Sequence, residues 1–144
     1  MNGLENSGIP RRIIDTNIII RYLTRDIPER AMKACRLFMQ AQDNEFVLLI
    51  PEVVFVEVIH VLTKMYHLDK NNVVNSIRGL IKLPGVETIT PYNTVIQALD
   101  NYESTNAPWP DALIAAHAAH QEPPEVYSFD AHLDKFGGIV KLEP

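Results

Sequence analysis

The spacing of apolar positions along this chain switches repeatedly between a continuous or alternating pattern and a helical one, and each switch predicts a strand feeding a helix. Arg12 to Asp15 is a short run with adjacent β-branched residues, and Thr16 or Asn17 is placed to cap a helix starting at Ile18. Pro28 opens a helical stretch through Gln42, with Ala31, Ala34, Cys35, Phe38 and Met39 at helical spacing and Asp43-Asn44 as its stop. Phe46 to Ile50 is continuously apolar, which suits a strand buried on both faces. Pro51 stands where a first-turn proline belongs, and the helix it starts runs to about Tyr66 with Val54, Val58, Val61, Leu62 and Met65 on one face.

Downstream the pattern repeats. Asp69 is expected to cap a helix through Leu83 whose stripe is Val73, Val74, Ile77, Leu80 and Ile81, stopped by Pro84-Gly85. Val86 to Thr90 reads as a strand, Pro91 to about Ser104 as a helix, and Thr105 to Pro108 as a loop. Trp109-Pro110-Asp111 begins the most apolar helix, Ala112 to Ala119. Val126 to Phe129 is a strand, Ala131 to Phe136 a short helix, and Gly137-Gly138 leads into a last strand, Ile139 to Leu142.

Strands and helices alternating at these lengths imply the α/β class: an open, mostly parallel sheet with helices on both faces and ligands at the carboxyl ends of the strands. The polar, glycine-bearing residues 1–10 read as a loose leader, with one domain over residues 11–144. A chain of 144 residues with 47% hydrophobic content is large enough for one packed core. The single Cys35 rules out an internal disulfide, and no secretory signal opens the chain, so a cytoplasmic location is expected. The longest apolar stretch, Phe46 to Leu62, is broken by Pro51, Glu52, Glu57 and His60, and no membrane span is expected. A formal net charge of −5 argues against a non-specific nucleic-acid sleeve, but leaves room for an acidic site bridged to phosphate by metal.

Against this background four carboxylates stand out, because Asp15, Glu57, Asp111 and Asp130 lie inside or at the end of apolar runs. Burying a charged oxygen costs several kcal/mol unless it is paired, so a shared divalent cation is the simplest common explanation. Each acid also has a plainer reading. Asp15 helps to cap the following helix, although Thr16 and Asn17 make it redundant there. Glu57 interrupts VVFVEVIHVL, and its plainer reading is a solvent-facing edge beside His60 and Lys64 with Lys64 or another cation as partner. Asp111 suits the first turn of its helix, where a carboxylate complements the dipole. Asp130 suits the N-cap of the next one. Asp134 either extends the acidic group or faces solvent beside Lys135, and Ser128 is placed to bond a carboxylate or ligand.

Other chemistry has less support. His117 and His120 share a helix face, but a closed zinc site needs further nitrogen or sulfur ligands that the lone cysteine does not supply. No glycine-rich phosphate loop and no nucleophile-base pattern is present. A haloacid dehalogenase-type phosphatase needs a second Asp two residues after the first, where Asn17 stands, and a receiver domain needs paired acids and a late lysine that the spacing does not supply.

Taken together, IIDTNIIIRYL, the glutamate of VVFVEVIHVL, the PDALIAAHA helix start and VYSFDAHLDKF resemble the PIN domain, in particular the VapC-type toxin ribonucleases, from Arg12 to the C-terminus. The resemblance implies a three-layer α/β/α fold with a mostly parallel five-stranded sheet and an acidic pocket for Mg²⁺ or Mn²⁺. By motif, Asp15, Glu57, Asp111 and Asp130 correspond to the family's four acids, Asn17 to the asparagine that organises the pocket, and Ser128 to a common hydroxyl position. The tryptophan-proline pair before Asp111 departs from the usual smaller or more polar residues. The implied activity is metal-dependent endoribonucleolytic hydrolysis of RNA, since hard oxygen ligands select these ions and the ions activate water. Crowded carboxylates without metal are expected to have raised pKa values. Membership also implies a homodimer and a cognate antitoxin. Arg21, Arg25, Lys64 and Lys135 are candidate phosphate contacts. The rival reading is a PIN-fold module that binds RNA or protein, or processes RNA without a toxin role.

Overall fold

The structure, a computed structural model, describes residues 8–144; residues 1–7 of the expected leader lie outside the described residues. The described residues form two compact units, the first ending at Ile89 and the second spanning Thr90–Pro144.

In the first unit, strand β1 (Arg11–Ile13) leads into helix α1 (Thr16–Thr24), α2 (Pro28–Gln42), β2 (Val47–Ile50) and α3 (Glu52–His60). A π-helical turn (Val61–Met65), α4 (Lys70–Ile81) and β3 (Val86–Thr88) complete it. The three strands are all parallel, in the order β1-β2-β3, with Arg12 opposite Leu48 and Leu48 opposite Val86. Leu48 and Ile50 are buried and Val47 and Leu49 half-buried, so β2, the central strand, is covered on one face and partly covered on the other. Helix α1 packs on α2 and α3, and α2 and α4 lie against the strands. The apolar stripes face inward as their spacing requires: Ala34 and Phe38 of α2, Val54 and Val58 of α3, and Val73, Val74, Ile77 and Leu80 of α4 are buried. Met65, expected on the buried face of its helix, is instead exposed, because the π turn inserts an extra residue and rotates the end of that helix.

The second unit holds α5 (Tyr92–Ser104), α6 (Trp109–Ala119), β4 (Glu125–Tyr127), a 3₁₀ turn (Ala131–Lys135) and β5 (Val140–Leu142). Strands β4 and β5 pair in parallel. Ala107, Ala112, Ala115, Leu133 and Phe136 form its core, flanked by Tyr102, Val126 and Ile139. Small residues along α6 let α5 approach closely, and Trp109 meets the Tyr102 ring edge-on at 5.7 Å.

The α/β class with parallel strands is as expected, but the single five-stranded sheet is not: the strands form a three-stranded and a two-stranded sheet. Four residues expected in strands, Ile89, Thr90, Ser128 and Phe129, lie outside them, which leaves β3 and β4 only three residues each. Strands this short form few ladder bonds.

Candidate functional site

Asp15 follows buried Ile14 and is itself the N-cap of α1, accepting the Thr16 N–H at 2.7 Å. The helix therefore starts two residues earlier than expected, with Thr16 and Asn17 in its first turn rather than capping it. This corrects the view that Asp15 is redundant as a cap. Thr16 is freed for another partner: its Oγ1 donates to Glu57 Oε2 at 2.8 Å. The residue after the first acid thus fixes the orientation of the second, across 41 positions of sequence.

Glu57 lies on the exposed edge of α3 with Val53 and His60, while Val54, Phe55, Val58 and Ile59 turn inward. Its surroundings are therefore those of the solvent-facing reading, but its partner is the Thr16 hydroxyl and not Lys64. Asp15 and Asp130 are exposed as well, and Asp111 is half-buried. The premise that all four carboxylates are buried is thus corrected. Flanking apolar residues bury their own side chains on the adjacent faces of the same helix or strand, leaving the acids at the edge.

In the second unit Asp111 occupies the first turn of α6, and Asp130 is the N-cap of the 3₁₀ turn. Asp130 is held at both ends of its residue: its N–H donates to Ser128 Oγ, and its Oδ1 accepts the His132 N–H, each at 2.8 Å. The capping bond turns the chain so that the His132 ring lies between the two acids, with Nδ1 3.1 Å from Asp111 Oδ2 and 3.2 Å from Asp130 Oδ1. One ligand atom from each of Asp111, Asp130 and His132 lies within 4.8 Å of the others, an arrangement suited to a metal ion. Two carboxylate oxygens and an imidazole nitrogen are donors that a divalent cation accepts, so the residues fit the expected group.

The Asp130 carboxyl is held below the usual carboxylate range, chiefly by the backbone N–H of His132 and then by the charge and side chain of that histidine. Crowding was expected to raise acid pKa values; at Asp130 the one opposing effect is loss of solvent, and the hydrogen bonds to the ionised form outweigh it. His132 was missed in the sequence, because the contact that brings it into the group joins it to Asp111, 21 residues earlier.

The supporting residues divide. Ser128 anchors Asp130. Asn17 is exposed in α1, on the rim of a shallow apolar hollow with Ile18 and Leu37. Asp134 is exposed, as the solvent-facing reading expects, and pairs with Lys141 Nζ at 2.9 Å. Of the basic candidates, Arg21 is bound to Asp26 and the Tyr66 hydroxyl, each at 3.0 Å. Arg25 ends α1 in the left-handed conformation, its guanidinium over the Tyr22 ring. Lys135 donates to Asn106 Oδ1, and Lys64 is exposed on the π turn.

A family model for the PIN domain matches residues 12–139, across all the elements that carry these acids. The chain belongs to the PIN domain family. PIN domains are in general nucleases that use divalent metals. Among solved structures, the chain is similar to the crystal structure of VapBC2 from Rickettsia felis bound to a DNA fragment from their promoter. The identity is 12%, the TM-score is 0.39, and the match covers 92% of this chain and 98% of that one. No curated protein matches the sequence. No helix among the described residues of this PIN domain is long and apolar enough to cross a membrane.

Proposed function

We propose that this PIN domain is an endoribonuclease dependent on Mg²⁺ or Mn²⁺, with Asp15, Glu57, Asp111 and Asp130 as its acids. The observation that carries the reading is the group formed by Asp111, Asp130 and His132, a metal-suited donor set on a chain of a nuclease family. When bound, a divalent cation neutralises charge on phosphate oxygens and eases the loss of a proton from water.

The protein's part is to hold oxygens in place. Asp111 projects from the first turn of a helix that is anchored by buried Trp109, Ala112 and Leu113, so its carboxylate has little freedom. Asp130 is fixed at its backbone N–H by the Ser128 hydroxyl, and its carboxylate accepts the His132 N–H, which favours the ionised, ligand-competent form. Thr16 orients Glu57, and the Thr16 N–H orients Asp15. Exposed Lys64 is the basic candidate best placed to meet phosphate, since Arg21 and Lys135 already bond within the protein.

In this reading the protein is the toxin of a toxin–antitoxin pair, forms a homodimer, works in the cytoplasm and is silenced by a cognate antitoxin. Support for that part comes from the motif resemblance, and a gene for a small DNA-binding protein immediately upstream would strengthen it. The test of the enzyme is direct. Purified protein is incubated with structured and single-stranded RNAs in Mg²⁺ or Mn²⁺, beside Asp15→Asn and Asp111→Asn prepared identically. Cleavage by the parent and loss in both variants is expected. Binding of RNA without cleavage by any of the three would favour the non-catalytic module instead.

A further inference from the structure

We propose that His132 is a metal ligand through Nδ1 and that it biases the Asp111–Asp130 site toward Zn²⁺ and Mn²⁺ over Mg²⁺. The proposal deepens the metal-dependent reading above, and rests on it only for what the ion is used for. The geometry is the starting point. Nδ1 lies 3.1 Å from Asp111 Oδ2 and 3.2 Å from Asp130 Oδ1, so the nitrogen is a near neighbour of an oxygen from each acid. Donors about 2.1–2.2 Å from one ion, at right angles to each other, are separated by about 3.0–3.1 Å. The nitrogen-to-oxygen spacings are therefore close to two edges of a six-coordinate polyhedron.

The ring is also held where a ligand must be. His132 is tied at its backbone to Asp130 Oδ1, and the next residue, Leu133, is buried in the core of the unit. Without a cation the Nδ1–H is a donor to the two carboxylates; as a ligand the imidazole is neutral, with its proton on Nε2 and the Nδ1 lone pair free.

The chemical consequence is selectivity. Carboxylate and water oxygens alone suit Mg²⁺, whereas imidazole nitrogen is a poor ligand for Mg²⁺ and a good one for Zn²⁺ and, more weakly, Mn²⁺. The nitrogen thus shifts an oxygen site toward transition metals, with Zn²⁺ bound more tightly than Mn²⁺.

Isothermal titration of the full chain with ZnCl₂, MnCl₂ and MgCl₂, without RNA, tests this on the parent, His132→Ala and His132→Asn. A His117→Ala/His120→Ala variant controls for zinc held elsewhere. The expected result is a loss of roughly 10- to 100-fold in Zn²⁺ affinity for both His132 variants and a smaller loss for Mn²⁺. The Mg²⁺ affinity should stay within about threefold, and the double-histidine control should resemble the parent. Pulsed electron paramagnetic resonance of the Mn²⁺ complex should show coupling to an imidazole nitrogen in the parent and none in His132→Asn. Equal losses for all three cations, an unchanged Zn²⁺ affinity, or no nitrogen coupling in the parent would overturn the proposal. Because binding is read without RNA, its failure is distinguishable from failure of the nuclease reading, which is read from cleavage.

Discussion

The hydrogen bond from Thr16 to Glu57 shows how a single side chain ties one acid to the segment that carries another. Thr16 is buried and Glu57 exposed, so the bond is only partly shielded from water. Thr16→Val keeps the shape and removes the donor, and urea unfolding should show a loss of about 1 kcal/mol. A second network lies at the other end of α1. The Tyr66 hydroxyl first, then Thr24 and Arg21, hold the Asp26 carboxyl down from 3.8 to about 2. A depressed carboxylate pKa contributes stability that is present above the unfolded value and is lost as pH falls through the folded one. Thermal melts of the parent and Asp26→Asn should therefore differ most above pH 4 and converge as pH approaches 2. Neither network was legible in the sequence, for one reason: Thr16 and Glu57 are 41 positions apart and Tyr66 and Asp26 are 40 apart, so no local pattern joins them. The acids themselves were legible because each interrupts an apolar run. His132 was not, because its significance depends on Asp111, 21 residues earlier.

At the scale of elements, boundaries set by local chemistry were readable and those set by packing were not. Helix α2 runs from Pro28 to Gln42 as expected, since proline at its start and Asp43-Asn44 after its end are local signals. The π turn after α3 has no such signal. It is expressed in the backbone, where the Tyr66 N–H donates to Val61 O, five residues back. One consequence is that Tyr66 is delivered to Arg21 and Asp26. The turn from α4 into β3 is a different case, because Gly85 is required. Its φ is +82° and a Cβ there would stand 2.3 Å from the Ala41 carbonyl oxygen. Gly85→Ala should cost about 2 kcal/mol or more, from backbone strain and the clash together, and a drop in urea midpoint with unchanged slope would register it.

For the whole molecule, the family and the α/β class could be read from motif order, because four short motifs at the right spacing are jointly specific. The division into two sheets could not, since ladder length depends on where turns cut each strand. A net charge of −5 with exposed acids gives a chain whose native state should gain from bound divalent cations. A ligand at 100 times its Kd adds about 2.7 kcal/mol to the native state, so a Mn²⁺ titration should raise the melting temperature of the parent and much less that of Asp111→Asn. The most direct test of the central claim is RNA cleavage in Mn²⁺ by the parent beside Asp111→Asn. The account predicts that the variant loses at least about 100-fold in rate while its circular dichroism and metal-free melting temperature stay close to the parent's. Equal cleavage by the two proteins would contradict it.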